Sequence, residues 1–340
     1  MVIPLFVLAM LSCSKESDDL NDLHKTIYVR HKNADMPAYI HGNASEKVFL
    51  IILHGGPGGD GLLYRANTIR SEIENNNAVV YFDQRGSGNA QGNYAKEDVS
   101  IDLMAEDVLA LAKVIKAKYG EDSKLFLMGH SWGGTLSIAS LLKSQEDFLA
   151  WIDVSGPHDP KGMYDKYKIV LKEMADAQIA LGNHVDYWQT ILDLVKSVGS
   201  NFSLDDFYRL NASAHEAEKK LADDMVINDA ITDYPDDAPS QNILTLLWNK
   251  NQISEIIDVN NGLWEKVSFT DRLTEITIPS LVLWGKYDLV VPTVYAQEAF
   301  DNLGAADKEL VIFDKSAHSP MFMEPKLFSD KVIEFINDHK

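Results

Sequence analysis

Three residues spaced widely along this sequence have side chains that could share one reaction. Ser131 lies in the run Gly129-His130-Ser131-Trp132-Gly133-Gly134, directly after the apolar stretch Leu125 to Met128 and before a helical pattern. A Gly-x-Ser-x-Gly arises by chance in about one chain in ten of this length, so its weight comes from the strand-turn-helix context. A turn that tight leaves almost no room for side chains beside the serine, and it lifts the hydroxyl above the carboxyl edge of a sheet. The competing reading of the same glycines is a helix start that binds an anion. A serine hydroxyl is a weak nucleophile until a base takes its proton, and the base needs a carboxylate to fix its tautomer. Asp288 follows the apolar run Leu281 to Trp284, at the strand end where a sheet delivers reactive groups. His318, in Ser316-Ala317-His318-Ser319-Pro320, falls between a last strand and a last helix. The order Ser, Asp, His recurs for this constellation. Asp153, read as also following a strand, is the rival acid, and His130 reads as a structural residue beneath the serine turn.

A fourth feature complements these three. His54-Gly55-Gly56-Pro57-Gly58-Gly59 follows the strand Val48 to Leu53, and its backbone amides can approach a ligand closely because so few side chains intervene. The lysine-serine end of a phosphate-binding loop is missing. An oxyanion hole fits better, built from the Gly56 amide and that of Trp132, the residue after the nucleophile.

These groups need a scaffold, and the chain alternates short apolar runs with amphipathic stretches as a mostly parallel sheet covered on both faces requires. The strands expected are Thr26 to His31, Ala38 to His41, Val48 to Leu53, Ala78 to Phe82, Leu125 to Met128, Ala150 to Val154, Ser280 to Leu283 and Leu310 to Phe313. Helices are expected over Ile101 to Tyr119, Trp132 to Lys143 and Lys326 to Asn337. Between Gly156 and about Glu275 the strand pattern gives way to acidic, helical sequence with Tyr164, Tyr187, Trp188, Phe207, Tyr208 and Trp248 interspersed. A stretch that long is no ordinary connection, and it is expected to form an inserted helical cap. The division predicted is a core over 25–155 and 276–340, a cap over 156–275, and a leader over 1–24.

Composition bounds the partners. The 340 residues are 46% hydrophobic, enough for a large core, and a net charge of −20 opposes any phosphate backbone, so nucleic acid is not expected as a partner. The one cysteine, Cys13, excludes an internal disulfide and a multi-thiolate zinc site; no metal or cofactor is expected. Val2 to Leu11 is too short an apolar run to span a bilayer and suits a signal peptide. Met10-Leu11-Ser12-Cys13 resembles a bacterial lipobox, although leucine is commoner than methionine at its first position and no Lys or Arg precedes the run. That resemblance implies lipidation at Cys13, a membrane contact through the lipid, and a place in the bacterial cell envelope. The alternative is a buried segment with an incidental cysteine.

Taken together, His54 to Gly59, Asp83-Gln84-Arg85-Gly86-Ser87-Gly88 and Gly129 to Gly134 resemble the proline iminopeptidases, a peptidase branch of the α/β-hydrolases. The resemblance covers residues 40–155 and 275–320 and little of the cap. It implies the α/β-hydrolase fold, a triad of Ser131, Asp288 and His318, oxyanion donors at Gly56 and Trp132, and release of N-terminal proline or similar residues from short peptides. Asp83 and Arg85 are then expected to shape the loop near the site. Cap glutamates hold the substrate amino group in that family, beside a mid-cap Trp-Glu pair; here Trp264-Glu265 is the only such pair and lies near the cap's end, so those residues do not carry over. The same machinery cleaves esters, which leaves a carboxylesterase or lactonase as the alternative, and a non-catalytic ligand-binding α/β-hydrolase as a further one.

Overall fold

The computed structural model describes residues 19–95, 99–230 and 253–340. Cys13, its leader and Trp248 lie outside the described residues. Among the described residues nine strands form one sheet: β1 (Leu23–His31), β2 (Ala34–Gly42), β3 (Val48–Leu53), β4 (Ala78–Phe82), β5 (Gln91–Gly92), β6 (Lys124–His130), β7 (Ala150–Val154), β8 (Ser280–Gly285) and β9 (Lys308–Phe313). Their order is β1-β2-β4-β3-β6-β7-β8-β9, with the short β5 pairing β2. From β4 to β9 every pairing is parallel, whereas β1, β2 and β4 meet antiparallel.

Side chains alternate across a strand, so a strand buried on both faces is apolar at every position. In β3, Phe49, Ile51 and Leu53 join the core on one face, while Val48, Leu50 and Ile52 join the core on the other. The first face is covered by helices α1 (Ile101–Tyr119) and α2 (Trp132–Leu141), and the second by α7 (Pro325–His339) through Phe328, Val332, Phe335 and Ile336. Ser100 starts α1 by accepting the Leu103 amide on its hydroxyl.

Between β7 and β8 the chain leaves the sheet. Among its described residues this excursion has three long helices: α3 (Met163–Leu181), α4 (Val185–Ser197) and α5 (Leu204–Asp223). Their inward faces carry Tyr167, Leu171, Trp188, Phe207, Leu210 and Leu221, which continue the core on the α1 and α2 face. Helix α6 (Val294–Asn302) follows β8. Among the described residues no helix is long and apolar enough to cross a membrane.

Candidate active site

The turn from β6 into α2 holds Ser131 at φ 56° and ψ −125°, a conformation that a residue with a Cβ adopts only under constraint from its surroundings. The constraint is visible on both sides. The Ser131 amide donates to the Val154 carbonyl (3.0 Å), and the Ser131 carbonyl accepts from Gly134 (2.8 Å). A Cβ at Gly133 would run into the Leu53 carbonyl oxygen, which explains the glycine there. All ten residues of α2 are buried, so the turn is anchored into the sheet by the helix it starts.

Ser131 and His318 line one cavity of about 350 Å³, the size of a small-molecule site. Gly55 and Gly56 form part of its wall, Met163, Trp264, Val290 and Val291 make it largely apolar, and Asn211 and His215 add polar groups. Asp288, three residues past the end of β8 at Gly285, turns inward: Oδ1 accepts the Val291 amide (2.7 Å) and Oδ2 meets His318 Nδ1 (3.0 Å). With Nδ1 facing a carboxylate it carries the proton, and Nε2 is left as the basic nitrogen. Burial works against charge on both partners. It pushes the Asp288 carboxyl well above 3.8 and the His318 imidazole down to about 3. The Val291 amide opposes the first shift by favouring the carboxylate.

Asp153, the rival acid, is the next-to-last residue of β7, is fully buried and makes no hydrogen bond to a histidine among the described residues. Burial raises its carboxyl well above 3.8, as it does that of Asp288, so the hydrogen-bond partner and not the titration separates the two acids. His130, next to Ser131 in the chain, lines the same cavity. Its Nε2 donates to the His318 carbonyl (2.9 Å), and its Nδ1 accepts the Tyr64 hydroxyl proton (2.6 Å); the same hydroxyl accepts the Gly55 amide (2.9 Å).

The proposed oxyanion donors stand close to this frame. Trp132 is the first residue of α2, so its N–H is one of the helix's unpaired donors at the positive end of the dipole. Gly56, at φ 135°, occupies backbone space that L side chains rarely enter. Gln84 ties the two loops together: its side chain accepts Trp132 Nε1 (2.8 Å) and donates to the His54 carbonyl (2.9 Å). Asp83 shapes the adjoining turn, accepting the amides of Gly61 (2.8 Å) and Asn89 (2.7 Å). Arg85 does something else. It turns toward α1, pairs with Asp107 through two 2.7 Å bonds, and donates to the His31 carbonyl (2.9 Å), so it fastens the β1–β2 hairpin rather than the site loop. Trp264 reaches the cavity and stacks on Phe207 (4.4 Å between centroids), while Glu265 beside it is exposed.

Glu218 of α5 was not legible as a site residue. Its carboxylate accepts the amides of Leu289 (2.9 Å), Val290 (3.2 Å) and His318 (3.4 Å). Among the described residues no cluster of three or more His, Cys, Asp or Glu side chains is placed to hold a metal ion.

A family model described as alpha/beta hydrolase fold matches residues 48–325. The probable aminopeptidase YbaC of Bacillus subtilis is 24% identical over 329 residues, covering 90% of this chain and 94% of the relative. A proline iminopeptidase of Saccharolobus solfataricus is 29% identical over 292 residues, covering 85% and 84%. The solved proline iminopeptidase of Mycobacterium smegmatis superposes with a TM-score of 0.59 at 19% identity, covering 93% of this chain and 98% of that one.

Proposed function

Because the chain belongs to the α/β hydrolase fold family, we propose that it is a serine hydrolase using Ser131, His318 and Asp288, and that it acts as an aminopeptidase on short peptides with a free N-terminal residue such as proline. The observation that carries the first part is that His318, which shares its cavity with the strained Ser131, has Asp288 behind it at 3.0 Å from Nδ1. In this mechanism His318 Nε2 takes the Ser131 proton as Oγ attacks the substrate carbonyl carbon. The Gly56 and Trp132 amides hold the oxyanion, each such donor being worth about 2.7–4 kcal/mol. Collapse breaks the scissile C–N bond, and His318 hands its proton to the leaving nitrogen. Water, deprotonated by His318, then attacks the acyl-enzyme and frees the serine.

The aminopeptidase part rests on the names of the relatives and on charge. About half of the net −20 lies in residues 156–275, so the excursion, read as a cap over the site, would draw in substrates carrying a free amino group. A proline naphthylamide should be cleaved with a kcat/KM at least about tenfold above that of its N-acetyl counterpart, a difference of about 1.4 kcal/mol in transition-state binding. Equal rates, or a preference for simple esters over both, would overturn this part in favour of a carboxylesterase or lactonase, a reading to which the apolar Met163, Trp264, Val290 and Val291 wall lends itself.

The pH dependence follows from the burial of the base. An exposed histidine would lose activity as pH falls through about 6 to 7. His318 must be neutral to accept a proton, and burial lowers its pKa, so the neutral form persists further into acid. The acid limb of kcat/KM should therefore have its midpoint below about 6, under the ordinary 6.5. A midpoint at or above 6.5, measured on substrate that does not itself titrate, would show that Asp288's pull on the imidazolium outweighs burial.

A further inference from the structure

We infer that Glu218 is a positioning residue for this reaction: from helix α5 its carboxylate holds the acid loop and the base in register. The inference rests on the reading of Ser131, Asp288 and His318 as a triad. Helix α5 packs inward through Phe207, Leu210, Ala214, Ala217 and Leu221, and Glu218 lies among them at 8% exposure. A carboxylate there is costly unless its lone pairs are taken up. They are taken up by backbone alone. One oxygen accepts from Leu289 and Val290, directly after Asp288, and the other from the amide of His318 itself.

The loop is gripped from its other side as well. The Val290 carbonyl accepts the Tyr167 hydroxyl of α3 (2.7 Å), and that hydroxyl is in turn held by Asn211 Nδ2 (2.7 Å). Asn211, His215 and Glu218 are spaced i, i+4 and i+7, so they fall on one face of α5, the face turned to the site. His215 stands with its ring 6.3 Å from that of His318. The sheet therefore supplies the acid and the base from two separate strand ends, and a helix of the excursion joins them. Displacements of about 1 Å between reacting groups cost on the order of a hundredfold in rate. With both oxygens engaged by amides, Glu218 is not poised to receive a substrate ammonium group.

The test compares wild type with Glu218→Gln and Glu218→Ala, using fluorophosphonate labelling of Ser131 and the kcat and KM for one ester and one free-amine amide. Glutamine keeps the volume and one acceptor but turns an NH2 group toward backbone donors. We expect labelling and kcat to fall at least about tenfold in Glu218→Gln and further in Glu218→Ala, equally for both substrates, with KM within about twofold and melting curves still cooperative. Folded variants that label at the wild-type rate would overturn the inference. A loss confined to the free-amine substrate and expressed in KM would make Glu218 an ammonium ligand instead, and failure of both variants to fold would reduce it to a structural residue. Absence of Ser131 labelling in the wild type would instead sink the triad reading, a separately recognisable outcome.

Discussion

Ser131→Ala is expected to take up no fluorophosphonate and to turn over substrate about a million-fold more slowly than the wild type, the scale seen when such a nucleophile alone is removed. The change deletes a single oxygen. Alanine keeps the Cβ, so the backbone at φ 56° is no more strained than before, and the bonds from Ser131 to Val154 and Gly134 are main-chain bonds that survive. The fold should consequently be unchanged, and the loss should lie in kcat. Mass spectrometry of the labelled wild type should find the adduct on the peptide containing Ser131. An adduct on any other serine, or a Ser131→Ala protein that still labels, would overturn the assignment.

Asp288→Asn is the second large effect, about 10⁴-fold in kcat. The substitution is close to isosteric, but an amide in place of Oδ2 can present N–H to His318 Nδ1, which then must accept. The imidazole proton is forced to Nε2, and the nitrogen facing the cavity is no longer a base. Asp153→Asn is the matched control. Its carboxyl makes no hydrogen bond to a histidine among the described residues, so exchanging it for an amide should leave kcat within about threefold of the wild type. If Asp153→Asn is the more damaging of the two, the carboxylates must exchange roles.

The sheet was readable from the sequence because central parallel strands are apolar on both faces. β3, β4 and β7 begin and end where the runs Val48 to Leu53, Ala78 to Phe82 and Ala150 to Val154 do. β2 was read short: Asp35 and Pro37 look like turn residues, but pairing with β1 draws Ala34 to Pro37 into the strand. The two-residue β5 has no pattern to read. Ser131, Asp288 and His318 stood out because each sits at a strand end within a local motif. Arg85 shared such a motif, yet its direction is set by Asp107 on α1, which no local pattern encodes. Glu218 and Tyr64 reach partners that lie far from them in sequence, Leu289, Val290 and His318 for the one and His130 for the other, so spacing offers no signal for them. The one trace of Glu218 is an acid set into the apolar stripe of α5.

The chain of bonds through Tyr64 and His130 bears on a problem of competition. Two imidazoles lie with ring centroids only 4.8 Å apart beneath one substrate cavity, and a second free base there could intercept the serine's proton or present the wrong acid to the leaving group. His130 has no nitrogen to offer. One is filled by the Tyr64 hydroxyl proton and the other already carries the proton it gives to the His318 carbonyl, while the single hydroxyl proton fixes the direction of the whole chain from Gly55 onward. Protonating His130 would mean expelling Tyr64 from a buried bond. Two adjacent, chemically identical bases are thereby made unequal by their hydrogen bonds alone, and on the proposed triad reading His318 is the one left to accept the serine's proton.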